Sequence, residues 1–414
     1  MKNLSSLITL IALASPLAAG ESVSIVTNTP GLVAFWDFVK REPDGARRFT
    51  AHVPEGSATD YPLDVANYVK EYWGVGRDPV YADFPELGRG PFGNAIRIRK
   101  ETDPDFRPLL LVPRSRLHDT PLDIKGKDKP VSVVVWAVRE SGNHALAGIW
   151  HEGTDLNHAG PAKVVARGQR QYALFAGLNK EGAACGHLSE NGGKSFGHIY
   201  AMHKSNSGDV SPTVPADSPP EVLDASWQCF AMTYDPRTRE LTGWLNGKDT
   251  GSWQENVAKR IPVIHNAWRQ GHLHREPGLQ PGEDPDFPKD QFYNPPEEHP
   301  VSVKILSETG DERIALQEFR FTRVKVTQRK SANGVWTPLS RDLADVRLNP
   351  WWYPHDSIFT PADDGTGGPF TIGRVIHSSR SIGFTGWIGG VAVFNRALSA
   401  DELNRLAEIR RTGQ

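Results

Sequence analysis

The stretch "FTGWIGGVAVFNRALSADELNRL", Phe384 to Leu406, decides how the chain folds. Ile388, Val391, Val393 and Phe394 form an apolar run that reads as a buried strand, and Gly389-Gly390 lets another backbone come close. Ser399 stands three residues before Glu402, the spacing of a capping box, so a helix is expected to follow at once. Leu398, Leu403 and Leu406 give that helix a buried side. So apolar a strand needs a partner, and "GLVAFWDF", Gly31 to Phe38, offers one. There Leu32, Ala34, Trp36 and Phe38 alternate with Val33, Phe35 and Asp37, and both faces are largely apolar, as in a strand between packed layers. The first and last strands are expected to lie side by side and close one sheet, which makes nearly the whole chain one domain.

The intervening sequence supplies more strands. "GPFGNAIRIRK" restarts strand character over Phe92 to Ile98, and "PVSVVVWAV" (130–138) is rich in β-branched residues. "HALAGIWHEG", "RQYALFAGLNK", "SFGHIYAMHK", "WQCFAMTYDP" and "ELTGWLNGKD" follow at short spacing, the rhythm of a sandwich. Ser22 to Phe38 is expected to hold one or two strands, and helix only near Asp64 to Lys70 and after Ser399. Residues 40–89 and 265–300 read as insertions. Residues 341–369, with "NPWWYPHDSIF" and "DDGTGG", read as a long loop.

The formal charge of −2 over 414 residues gives no global field for nucleic acid or an anionic membrane. Lys2, the apolar run Leu7 to Leu13 and the small residues Ala18-Ala19-Gly20 form a signal peptide over residues 1–20, with cleavage after Gly20. A secreted or periplasmic protein of residues 21–414 is the expectation. No later apolar run approaches the roughly 20 residues a spanning helix needs. Cys185 and Cys229 leave two readings open: a disulfide, or two small buried hydrophobes.

Taken in order, "GLVAFWDF", "GPFGNAIRI", "VSVVVWAV", "WQCFAMTYDPRTRELTGWLNGK" and "GWIGGVAVFNRALSADEL" resemble the strand signatures of laminin G-like members of the concanavalin A-like lectin/glucanase superfamily. The resemblance covers residues 31–409 and implies an all-β antiparallel sandwich, a jelly roll, with long loop insertions and a short C-terminal helix. It is a weak guide to chemistry, because this one sandwich hosts lectins, hydrolases, lyases and adhesion modules. The Glu-x-Asp-x-x-Glu strand of its hydrolases is absent here, and "RTREL" at 237–241 matches the lyase motif only superficially. Laminin G-like domains often hold calcium, so a structural calcium ion is an expectation of the resemblance. Asp363 and Asp364 in "DDGTGG" are its candidate ligands, although they lack Asp-x-Asp-x-Asp-Gly spacing and read equally as a solvated acidic loop.

The densest polar segment runs from Cys185 to Asn206. In a strand Phe196 to Met202, His198 and Tyr200 share one face, with His203 and Lys204 just past its end. His and Tyr can serve as base and acid in a β-eliminating polysaccharide lyase, so His198, Tyr200 and His203 are the catalytic candidates if the protein is an enzyme. The plainer reading is a solvated concave face that binds sugar. On that reading Asn179, His187, Asn191 and Lys204 supply polar contacts, with Trp150 and His151 at a neighbouring strand end and Trp352 in a polar loop. Trp136, Trp227 and Trp244 read as core packing. Three functions follow: a secreted binder of extracellular or cell-surface glycan, a polysaccharide-degrading lyase or glycosidase on the same face, or an adhesion module with a protein partner. The glycan binder comes first, because no catalytic signature is complete.

Overall fold

The computed structural model describes residues 17–43, 47–154, 160–165, 168–178, 180–193, 205–270, 297, 299–353, 355–362, 365–377 and 383–409. Two seven-stranded antiparallel sheets pack face to face. The first runs β1 (Leu32–Trp36), β21 (Thr385–Phe394), β6 (Val131–Ser141), β11 (Gln228–Asp235), β12 (Glu240–Leu245) and β18 (Trp351–Trp352). A short β3 (Ile96–Ile98) pairs with β21 at its other end. The second runs β10 (Ser205–Asn206), β9 (Cys185–Leu188), β8 (Gln169–Phe175), β7 (Ala145–His151), β20 (Phe370–Ile372), β4 (Pro108–Val112) and β2 (Asp64–Asn67).

The expected closure is present. β1 and β21 pair antiparallel, Leu32 opposite Phe394 and Trp36 opposite Val391, and β21 is held on its other side by β6. A register irregularity between Leu32 and Ala34 sends Val33, not Leu32, into the main core with Ala34 and Trp36. Trp36 crosses between the sheets to stack on Phe370 at 5.2 Å. Phe35 points the other way, toward Phe92 and Trp136.

The helix Ala400–Glu408 covers that outer face. Ser399 and Glu402 form the capping box, and Leu403 and Leu406 bury against Phe35, Val134 and Trp136. The Trp136 indole N–H donates to the Leu406 carbonyl at 3.1 Å, tying the last helix to the central strand.

Several expectations change. Of the one or two strands expected over Ser22 to Phe38, β1 is present, and the residues before it, Leu17–Thr27, form a helix whose Val26 buries in the cluster under the C-terminal helix. Near residue 64 the chain is first the strand β2, and the helix is Tyr68–Trp73, capped by the Asn67 side chain. A further five-stranded sheet was not legible: β13 (Trp253–Gln254), β17 (Trp336–Arg347), β16 (Thr322–Lys330), β15 (Glu312–Glu318) and β14 (Ser302–Thr309), in that order. Residues 341–347 are therefore the end of a long strand. Only Leu343 and Val346 are buried there, so the apolar period is hidden among charged residues. Gly126–Lys127 (β5) and Ser357–Ile358 (β19) make a small two-stranded sheet.

Cys185 and Cys229 are both buried, and no disulfide joins them. Cys185 lies with Trp150 and Phe175 on the outer face of the second sheet, while Cys229 lies with Phe35 and Trp136 outside the first. The whole sandwich separates them, so the disulfide alternative does not hold. Trp352, expected in a polar loop, is buried because it forms the edge strand β18 with Trp351 against β12.

Candidate functional site

Alternation along β8 divides its side chains as the sequence suggests. Tyr172 and Leu174 enter the core between the sheets, while Ala173 and Phe175 face outward. The outer face of the second sheet thereby gains a cluster around Phe175. The His187 ring from β9 stacks on Phe175 at 4.1 Å, and Trp150 from β7 meets both rings edge-on. His144, just before β7, packs edge-on against Phe175 at 4.9 Å.

The chain after β20 then turns back across this face. Gly373 donates to the Leu146 carbonyl near the start of β7, and Ile376 bridges His151 at its end. Glu152 N–H donates to the Ile376 carbonyl, which sets His377 beside Glu152. Their side chains meet at 2.9 Å, and His144 Nε2 lies 4.0 Å from the same carboxylate. The Trp150 indole donates to Glu152 Oε1 at 3.2 Å, and the Arg170 guanidinium stands 3.8 Å from Oε2. Burial alone would push the Glu152 carboxyl up; the His377 hydrogen bond and the charges of Arg170, His377 and His144 outweigh it and hold it well below the usual range. Glu152 is thus an ionised carboxylate between two imidazoles. His144, Glu152 and His377 bring one ligand atom each within 4.8 Å of one another.

Beside this cluster a cavity of about 480 Å³ opens on the same face. Tyr68 and Tyr72 of the helix Tyr68–Trp73, Leu109 and Leu111 of β4, His151, Lys163, Gln169 and Thr366 line it. The Tyr72 ring stands edge-on to His151 at 5.0 Å. Lys163 lies over the Tyr72 ring and pairs with Glu71 at 3.3 Å. His151 Nδ1 accepts the Gly153 N–H at 3.0 Å, so the ring proton sits on Nε2. Among the described residues that Nε2 has no hydrogen-bond partner, nor has the Oε1 of Gln169, which stands opposite His151 on β8; both atoms are buried. Burial, with Arg170 and Lys163 nearby, depresses the His151 pKa to about 3, which keeps the ring neutral. His151 and Gln169 therefore add polar side chains to the lining of a partly apolar space.

Of the residues named from sequence, Trp150, His151 and His187 come together on this face. Asn191 is exposed, and its Oδ1 accepts the Gly193 N–H at 2.9 Å, which shapes a turn. Trp352 belongs to the other sheet and does not join them. Asn179, His198, Tyr200, His203, Lys204, Asp363 and Asp364 lie outside the described residues. Sequence reading missed His144, Glu152, His377, Tyr72, Lys163 and Gln169. "HALAGIWHEG" did carry a signal, since His144, Trp150, His151 and Glu152 all lie in or beside one strand. Nothing local pointed to His377. Among the described residues no helix is long and apolar enough to cross a membrane.

No family model and no curated protein matches the chain. Among solved structures it is similar to domain 4 of AbnA, a GH43 extracellular arabinanase from Geobacillus stearothermophilus, in complex with arabinotriose. There the identity is 9% and the TM-score 0.36, over 91% of this chain and 98% of that one. It is also similar to Trypanosoma rangeli sialidase in complex with sialic acid, at 11% identity and TM-score 0.31, over 94% of this chain and 37% of that one. The botulinum neurotoxin serotype G binding domain gives 10% identity and TM-score 0.31, over 92% and 51%. The chain thus spans less than two thirds of the last two. These scores are low, and the fold described above rests on the strand order and register of this chain.

Proposed function

We propose that the protein is an exported glycan-binding β-sandwich of laminin G-like type, with its sugar site in the cavity on the outer face of the second sheet. One observation carries this reading: a cavity of about 480 Å³ sets the Tyr72 ring, Leu109 and Leu111 beside the polar residues His151, Gln169 and Lys163. An apolar and aromatic wall with a few convergent polar side chains is the usual make-up of a small-molecule site. A sugar suits such a lining, its hydroxyls toward the polar side chains and the C–H face of its ring on Tyr72 and the leucines of β4. The volume is within the range of small-molecule sites and admits a short stretch or an end of a glycan, not a long segment. The ordered strand signatures support the laminin G-like assignment, and the signal-like residues 1–20 support export.

The test is a glycan array probed with the full chain, read alongside ultraviolet absorbance for unsaturated products. Retention of one sugar family without new absorbance is the expected result. Rising absorbance moves the protein to the lyase reading around His198 and Tyr200, and an array with no retained glycan overturns the proposal.

A further inference from the structure

Apart from the cavity, the outer face of the second sheet carries the cluster His144, Glu152 and His377, which the sugar reading does not use. We propose that these three residues bind one zinc-class divalent ion, with His144 Nε2, His377 Nε2 and a Glu152 carboxylate oxygen as ligands. The spacing supports it. Zinc holds imidazole and carboxylate ligands at about 2.0–2.2 Å, so two ligand atoms on a tetrahedral ion stand about 3.3 Å apart. His377 Nε2 stands 2.9 Å from Glu152 Oε2 and His144 Nε2 4.0 Å from Oε1, and one ligand atom from each residue lies within 4.8 Å of the others, close enough for one ion to draw them together. At 4.0 Å His144 is too far to hydrogen-bond the carboxylate, yet an ion between them spans the gap.

The donor set selects the metal. Two imidazoles and one carboxylate suit zinc, cobalt or nickel; calcium requires six to eight oxygens. The surroundings resemble those of metal sites. The Trp150 indole orients Glu152, Phe175 packs against His144, and Arg170 is anchored on the Gly193 carbonyl beside the carboxylate. His144 is buried, but the His377 side chain is 16% exposed, which gives an ion a way in. These three ligands of a four-coordinate ion leave one position for water or another oxygen. The inference stands independently of the sugar site, since none of its ligands lines the cavity.

The experiment strips the full chain with a chelator and titrates it with cobalt(II), following ligand-field absorption and counting bound metal. One equivalent with a visible spectrum is expected, displaced by zinc and untouched by calcium. His377→Ala changes the most accessible histidine, and Glu152→Gln keeps the shape of its residue. Each is expected to weaken cobalt binding by more than about tenfold, the lower end of what even outer-shell losses cost. His265→Ala, in a separate pair with Asp342, is expected to change nothing. Melting curves identify any variant that fails to fold. Should His377→Ala and Glu152→Gln both unfold, the wild-type stoichiometry and the zinc-over-calcium order still decide. Sub-stoichiometric cobalt, displacement by calcium, or undiminished binding in folded His377→Ala overturns the site.

Discussion

His151 shows how one residue can be both legible and misread. The sequence marks it beside Trp150 at a strand end, but not that its ring is buried and held neutral. That follows from tertiary packing under Tyr72 and beside Arg170, which no local pattern encodes. Its depressed pKa has a thermodynamic consequence. Below pH 6.5 the unfolded chain binds a proton that the folded chain refuses until about pH 3, so folding loses stability as pH falls through this window. The slope attributable to this one group is about 1.4 kcal/mol per pH unit. The stability advantage of wild type over His151→Leu is therefore expected to shrink steadily from pH 6.5 to pH 4, by denaturant titration at each pH. A difference that stays constant would mean that the ring is protonated in the fold. Trp352 fails in the opposite sense: a polar neighbourhood suggested exposure, while pairing with Glu240 in β12 buries it.

Among the elements, β21 with its capped helix was the most legible, because propensity, apolar pattern and capping spacing agree there. Gly390 explains part of that fit. A Cβ at this position would stand 2.6 Å from Phe92 and 3.2 Å from Trp136, both buried rings that cannot move freely. Gly390→Ala is expected to cost about 1–3 kcal/mol, as overpacking usually does. Ser399→Ala, which removes the cap, is expected to cost about 1 kcal/mol. Thermal melts of both variants check this, and a Gly390→Ala protein as stable as wild type would contradict the close approach. The sheet β13–β17 was illegible for a matching reason. All of β14 is exposed and much of β17 is polar, so neither shows a buried face in its sequence.

For the whole molecule, strands packed between the two sheets announced themselves, and the arrangement of the outer face did not. Its chemistry joins residues far apart in sequence, such as Glu152 and His377, through the turn-back after β20. The sandwich also separates Cys185 from Cys229. Native, non-reduced protein is expected to label slowly at both thiols and rapidly after unfolding; fast native labelling would contradict their burial.

The central claim is that sugar binds beside His151. Isothermal titration of the full chain with the oligosaccharide best retained on the array tests it most directly, comparing wild type, His151→Leu and His151→Gln. Loss of the imidazole from the cavity lining is expected to weaken binding about tenfold, near 1.4 kcal/mol, at an unchanged stoichiometry. His151→Gln, which keeps a donor there, is expected to recover most of it. A His151→Leu protein that folds and binds the sugar as wild type does would contradict the account.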